Sequence, residues 1–281
     1  MAIGLDRFWR LIAIPEIGPA IVIDSSIKNL DIGFTIDCSW KRDPDTANIK
    51  IYNAQKDTRS YLETNAKVIQ LYAGRTFPPT LIFQGEVHDA NSYRDDEFTD
   101  WITEIDAEDT SEDFRVSPVS ISFAEGMTVS ACVAGVCAAA GVVPDVLITD
   151  ETLTSPLSFL TPGRKAIQTI CRRYGLRYQM QKGKCVVRNA DIPLNMFDVP
   201  ILSEMTGLIG VPSVRRENKK TKITFRHMLE PRLIAGNLCK LMTASFSRKD
   251  LNGSAYFLER VTHNSDGDDQ FDTECECRVY Q

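Results

Sequence analysis

The residues of this 281-residue chain that could do chemistry are three histidines, eight cysteines and several close pairs of carboxylates. His88, His227 and His263 could bind a metal or move protons, but they fall on expected strands or strand ends, and none has the H-E-x-x-H or H-x-x-x-H spacing of a zinc helix. His88 and His263 take similar places in two related stretches, each just before a hairpin turn; duplication explains that without two active sites. Ser265-Asp266-Gly267-Asp268-Asp269-Gln270-Phe271-Asp272 has the acid density of a calcium loop. Its glycine stands at the second position rather than the sixth and no Glu closes it, so a hairpin turn is the better reading. Asp95-Asp96, Glu104 with Asp106, and Glu108-Asp109 could supply the paired carboxyls of a glycosidase. Most alternate outward along a strand beside polar neighbours, as a solvated face does.

Cys38, Cys132, Cys137, Cys171, Cys185, Cys239, Cys275 and Cys277 contain no C-x-x-C, and each lies on the apolar phase of its element. Free buried thiols are expected. Cys275 and Cys277 share a strand face with Thr273 and Val279, and a zinc pair there lacks two further ligands. No glycine-rich nucleotide loop and no G-x-S-x-G elbow occurs. Catalytic, cofactor-binding and metal residues are therefore all assigned as none. The basic run Arg215-Arg216-Glu217-Asn218-Lys219-Lys220 reads as a solvated hairpin tip, with contact to an acidic partner or passing DNA as the alternative.

Strands dominate the elements that must position these residues. Arg7 to Ile14 and Ala20 to Asp24 form a hairpin around Pro15 and Pro19. Ile32, Phe34, Ile36, Cys38 and Trp40 then alternate with Gly33, Thr35, Asp37 and Ser39, the period that turns one strand face to a core. From Ala47 to Ile105 the order is strand, short helix or turn at Asp57 to Leu62, strand Val68 to Ala73, strand Leu81 to Val87, polar turn Tyr93 to Glu97, and return strand Phe98 to Ile105. Thr221 to Val279 repeats that layout more weakly: strand, the turn Leu229-Glu230-Pro231-Arg232, strand Leu238 to Met242, strand Tyr256 to His263, an acidic turn and return strand Phe271 to Val279. Both copies carry an Arg in the first connection, Arg59 and Arg232. Six or seven strands in the first module are enough to curl into a barrel that hides its edges.

Between the copies lies a strand at Val119 to Phe123, then a helix with Thr128 as cap and Gly141 at its stop. A second helix follows Thr161-Pro162, read as cap and first turn, and ends at Gly175. A hairpin then runs from Leu176 to Arg188 through Lys182-Gly183. Residues 189–220, rich in Pro and Gly, read as a connector. The predicted fold class is α+β, mainly β: two similar small β-barrel domains at 1–109 and 196–281, with an α+β insert at 110–195.

A net charge of -6 fits a dispersed protein that lets nucleic acid past rather than gripping it. No apolar run reaches the roughly 20 residues of a membrane helix, and Met1 to Arg10 lacks the pattern of a signal peptide, so membrane insertion is not expected. Trp9, Trp40 and Trp101 mostly follow core phase, which argues against a carbohydrate-binding module.

The residues Ala47-Asn48-Ile49-Lys50-Ile51-Tyr52-Asn53, Thr58-Arg59, Val68 to Gly74 and Leu81-Ile82-Phe83-Gln84-Gly85 resemble the opening domain of bacteriophage tail and baseplate central hub proteins. A second signature lies in Thr206-Gly207-Leu208-Ile209-Gly210-Val211-Pro212, with Leu229 to Leu241 and the Val261-Thr262-His263 hairpin behind it. The resemblance implies a homotrimer with two like barrels per chain, a ring that meets a sixfold tail tube on one side and a threefold spike on the other. It implies as partners a tail tube or distal tail protein, a spike protein and a tape-measure protein, with DNA passing through a channel without specific binding. It also implies no cofactor, no enzymatic activity, and residence in the virion after synthesis in the bacterial host cytoplasm. Ending at Gln281, the chain carries no lysozyme-like extension, so peptidoglycan cutting would fall to another chain. The alternatives are another tail ring, distal or tube-capping, and a cell-wall hydrolase using the acids between Asp95 and Asp109.

Overall fold

Apolar residues at every second position build the strands, and one face of each strand supplies the core. The structure, a computed structural model, describes all residues except 1–5, 28–29, 41–43, 95–99, 190–191, 194, 218–219, 247–250, 268 and 281. In chain order the first part holds β1 (Phe8–Pro15), β2 (Ile21–Asp24), β3 (Asp31–Ser39), β4 (Thr46–Tyr52), α1 (Lys56–Thr64), β5 (Ala66–Gly74), β6 (Thr80–Arg94) and β7 (Trp101–Glu108). The middle holds α2 (Glu112–Val116), β8 (Pro118–Phe123), α3 (Val129–Ala139), β9 (Val143–Leu147), β10 (Leu157–Pro162), α4 (Gly163–Arg173), β11 (Leu176–Gln181) and β12 (Lys184–Asn189). The last part holds β13 (Ile201–Leu202), β14 (Leu208–Glu217), β15 (Lys220–Met228), β16 (Leu238–Leu241), β17 (Ala255–Ser265) and β18 (Phe271–Val279).

The mainly β, α+β fold class expected from the sequence is what is found, and the internal repeat is visible in the hydrogen bonding. Strand order β3-β4-β7-β6-β5 in the first part matches β14-β15-β18-β17-β16 in the last, antiparallel at every step. The match extends to a bulge. Between β6 and β7 the ladder skips His88, and between β17 and β18 it skips Glu259. A bulge adds one unpaired residue and fixes register, so the two skips align the copies residue by residue. His88 is thereby equivalent to Glu259, and His263 to Ser92. The similar places of His88 and His263 expected from the sequence are corrected: His88 is the bulged residue of its strand, whereas His263 lies in the paired stretch beyond the bulge.

The two halves are joined edge to edge. β17 pairs with β3 from Arg260 opposite Ser39 to Ser265 opposite Phe34, so that among the described residues one continuous sheet runs from β14 to β2. One core accordingly draws on both halves, including Leu11, Phe34, Ile49, Leu71 and Ile105 with Phe225, Leu241, Tyr256, Val261 and Cys275. A second core lies wholly between Phe114 and Val187, where α3 and α4 pack their Val133, Val136, Ile167 and Ile170 inward.

Several local expectations change. The connector at 189–220 contains β13 and β14; Gly210, at φ +69°, and Pro212 break the alternation, and β15 supplies the ladder that periodicity could not reveal. Thr161 does not cap α4. Pro162 occupies the cap position with no side-chain bond, because Thr161 and Pro162 are held in β10 against Val119 and Pro118. Thr128 does cap α3, accepting from the Ala131 N–H at 3.3 Å. Three elements, α2 with its Ser111 cap, the parallel strand β9 and the strand β10, were not expected at all. Trp101 departs from core phase at 40% exposure, and Arg59 lies over its ring at 3.8 Å.

Candidate functional site

The seam between β3 and β17 gathers the polar groups that hold the two halves together. Arg260 and Asp37 lie on the outward phase of their strands, and the guanidinium grips both carboxylate oxygens, with Nε donating at 2.7 Å. Thr262 adds its hydroxyl to the same Asp37 oxygen at 3.3 Å. On the inward face His263 is buried, and its Nδ1 lies 2.9 Å from the Thr273 hydroxyl. Burial pushes the imidazole down to about 3, aided by the Lys182 charge, so the ring is neutral and structural.

Below the seam two acids are buried side by side. The Asp45 carboxylate accepts from the Ser39 N–H at 3.0 Å, and the Asp109 carboxylate accepts from the Asp45 N–H at 3.1 Å and the Thr110 hydroxyl at 3.3 Å. Burial raises Asp45 to about 7, and burial together with the Asp45 charge pushes Asp109 well above the ordinary carboxylate range. Among the described residues Asp109 Oδ2 is buried with no hydrogen-bond partner, which fits a carboxyl held protonated. Lys182, whose charge acts on Asp45, Cys38 and His263, sits at φ +51° in the tight turn between β11 and β12.

That turn belongs to the insert, whose hairpin straddles the seam. At the tip, Gly183 abuts Gln84 of β6 so closely that a Cβ would stand 2.5 Å from its Nε2. Further back, Arg188, only 1% exposed, stacks on the Trp40 ring at 3.7 Å. It donates to the Gly236 carbonyl at 3.3 Å and to Gln179 Oε1 at 3.1 Å, while Gln179 donates to the Ala235 carbonyl at 3.4 Å. Burial lowers Arg188 to about 9, still a cation at neutral pH. Arg188 therefore ties insert, first half and second half at one point.

The sequence candidates separate under this geometry. His88 pairs with Glu108 at 3.4 Å beside Arg115 at 3.6 Å, whereas His227 is buried with Nδ1 2.6 Å from the Met228 carbonyl. Glu104 and Asp106 both accept from the Asn48 side chain at 2.8 Å, and Asp95-Asp96 lies outside the described residues. In the acidic turn Asp266 accepts from the Gln270 N–H at 2.8 Å and Asp272 pairs with Arg226, while Asp268 lies outside the described residues. All eight cysteines are buried and none forms a disulfide, with Cys275 and Cys277 on the core face as expected. Arg215 and Arg216 lie exposed at the end of β14, and Asn218 and Lys219 fall outside the described residues. No helix among the described residues is long and apolar enough to cross a membrane. Asp45 and the seam ion pair escaped the sequence reading, and Asp109, expected on a solvated face with Glu108, is buried because the chain folds over it beneath the seam. Asp37 and Arg260 are 223 positions apart, and each alone looks like any charged residue on a water-facing phase.

No protein-family model and no curated protein matches the sequence. Solved structures do match over nearly the whole chain. The 43 kDa tail protein of prophage MuSo2 from Shewanella oneidensis is 10% identical, with a TM-score of 0.64 over 97% of this chain and 98% of that one. A tail protein from Neisseria meningitidis MC58 is 9% identical, with a TM-score of 0.65 over 97% and 98%. The Escherichia coli c3393 protein, a component of the type VI secretion system described as structurally similar to the T4 phage tail proteins gp27 and gp5, is 10% identical, with a TM-score of 0.64 over 92% and 76%. At such identities the likeness is one of fold: this chain shares the fold of these phage tail and secretion-system proteins.

Proposed function

We propose that this chain is a non-enzymatic structural hub of a phage tail tip or baseplate. Three copies form a ring whose six similar β halves adapt a sixfold tail tube to a threefold spike. The observation that carries this reading is the repeat: two halves with the same strand order and the same bulge, fused in one sheet, give a threefold assembly six nearly equivalent units. The fold shared with tail proteins supports it. The three parts are 1–109, 110–195 and 196–281, with the insert as the clamp across the halves. The partners are a tube or distal tail protein on one side, a spike on the other and a tape-measure protein within. DNA passes through the channel without specific binding, consistent with a net charge of -6.

Counting copies per tail particle by quantitative mass spectrometry, with imaging of the ring, tests the reading. Three copies in a ring between tube and spike are expected. Six copies would make the chain a distal or tube-capping ring instead, and release of soluble fragments from peptidoglycan would make it a hydrolase.

A further inference from the structure

The bulge divides β17 into two working parts, and the same division of β6 leaves one part unused. Before Glu259, β17 pairs with β16; beyond it, Arg260 to Ser265 pair with β3. Before His88, β6 pairs with β5 as far as Glu86. Beyond it, Asp89 to Arg94 pair with β7 on one side, and among the described residues no strand is bonded to the other side. The strand equivalent to β3 in the second half is β14, which pairs with β15 and among the described residues carries nothing on its outer edge. Each chain thus has one filled seam and the two unlike edges of a second, empty one. An open edge of backbone donors and acceptors is a template for another strand.

At one position the two edges repeat the charge pairing of the filled seam. Aligning the copies through their ladders makes Asp89 equivalent to Arg260 and Arg215 equivalent to Asp37. The ion pair of the filled seam, Arg260 with Asp37, reappears on the open edges with its signs exchanged. Burial agrees. Val214 is 39% exposed, whereas its equivalent Ile36, covered by β17, is fully buried. Ser92, equivalent to the buried His263, is half-buried.

We infer that β14 of one copy adds to the open part of β6 of a second copy of this chain, in the register of β3 on β17: Ala90 opposite Arg216, Asn91 opposite Arg215, Ser92 opposite Val214 and Tyr93 opposite Ser213. Asp89 and Arg215 form the ion pair of the contact, on the diagonal. The contact is head to tail, so it cannot stop at a twofold dimer, and in the hub reading its repetition closes into a ring of three. This inference rests on the hub reading and specifies its subunit interface.

The test is oxidative cross-linking of the full-length chain with Ser92→Cys and Val214→Cys combined. The native thiols are all buried and do not compete. Intermolecular species ending at three linked chains are expected from the double variant, and neither single variant should link. Asp89→Arg in that background should cut the linked yield roughly fivefold, and adding Arg215→Asp should restore it. A double variant that stays monomeric, or links equally well through either single cysteine, overturns the interface. Three copies per particle alongside such a failure would leave the hub reading standing and place the contact elsewhere, while six linked chains would overturn the hub and keep the edge pairing.

Discussion

His88 and Glu108, 3.4 Å apart, occupy in the first half the places that Glu259 and Arg278, 3.3 Å apart, occupy in the second, so the same cross-strand ion pair appears twice with its signs exchanged. In both halves one partner is the bulged residue and the other lies on the strand beyond it. Conserving an attraction at this point while reversing its direction is what two diverged copies of one module would do, because only the product of the charges enters the interaction. Part of the imidazole partnership is conditional, since His88 attracts Glu108 only when protonated.

The pair in the second half can be turned round. Glu259→Lys places two cations together and should cost about 0.5–1 kcal/mol, the range of exposed ion pairs. Adding Arg278→Glu should return most of it. Urea unfolding of the single and double variants checks this; a double variant no more stable than the singles would mean the equivalence carries no energy.

Stability should carry the signature of the buried acids. Asp45 is raised by burial to about 7, so the folded protein keeps a proton that the unfolded chain releases near 4. Its contribution is full below about pH 4 and is lost as pH rises to about 7, an effect of at most about 4 kcal/mol. Asp45→Asn removes that titration. Thermal melts should therefore show the native protein losing ground to the variant as pH climbs from 4 to 7. His263, neutral and lowered to about 3, acts in the opposite sense but is common to both proteins and cancels in the comparison. Parallel melting curves across that range would show that Asp45 does not titrate there.

Two glycines mark close approaches. A Cβ on Gly236 would stand 2.2 Å from Arg188 Nη2 and 2.5 Å from the Trp40 ring, at φ +89°. Gly236→Ala should cost roughly 3 kcal/mol or more, through strain and through loss of the Arg188 clamp. At Gly85 the obstacle is backbone, the Glu108 carbonyl at 2.2 Å, so Gly85→Ala should spread β6 from β7 by a similar cost. Denaturant midpoints measure both. Amide exchange separates them: the first loosens the insert hairpin, the second the β6–β7 ladder.

The cysteines give an inexpensive check. Burial raises Cys38, Cys275 and Cys277 well above the ordinary thiol range, and all eight thiols are buried. A thiol reagent at neutral pH should label none in the native protein and all eight after denaturation. Rapid native labelling of any of them would contradict the packing of its core.

Alternation along Asp31–Ser39, the caps and stops of α3, the Lys182-Gly183 hairpin, the core phase of Cys275 and Cys277 and the repeated order of strands are all local patterns. A side chain's face and a turn's backbone are set within a few residues, so the sequence alone determined most of the strands, most of the helices and the duplication. Tertiary structure alone decided that β17 lies beside β3, that Gly210 and Pro212 are accommodated in a strand, and that the skipped residues are His88 and Glu259. Strand partners are chosen by backbone hydrogen bonds, which are chemically alike at every position and leave no mark in residue types. The same holds for Asp45 and Asp109: a carboxylate at the surface and one sealed beneath a seam are the same letter, and only the chain folded over them sets their proton affinity.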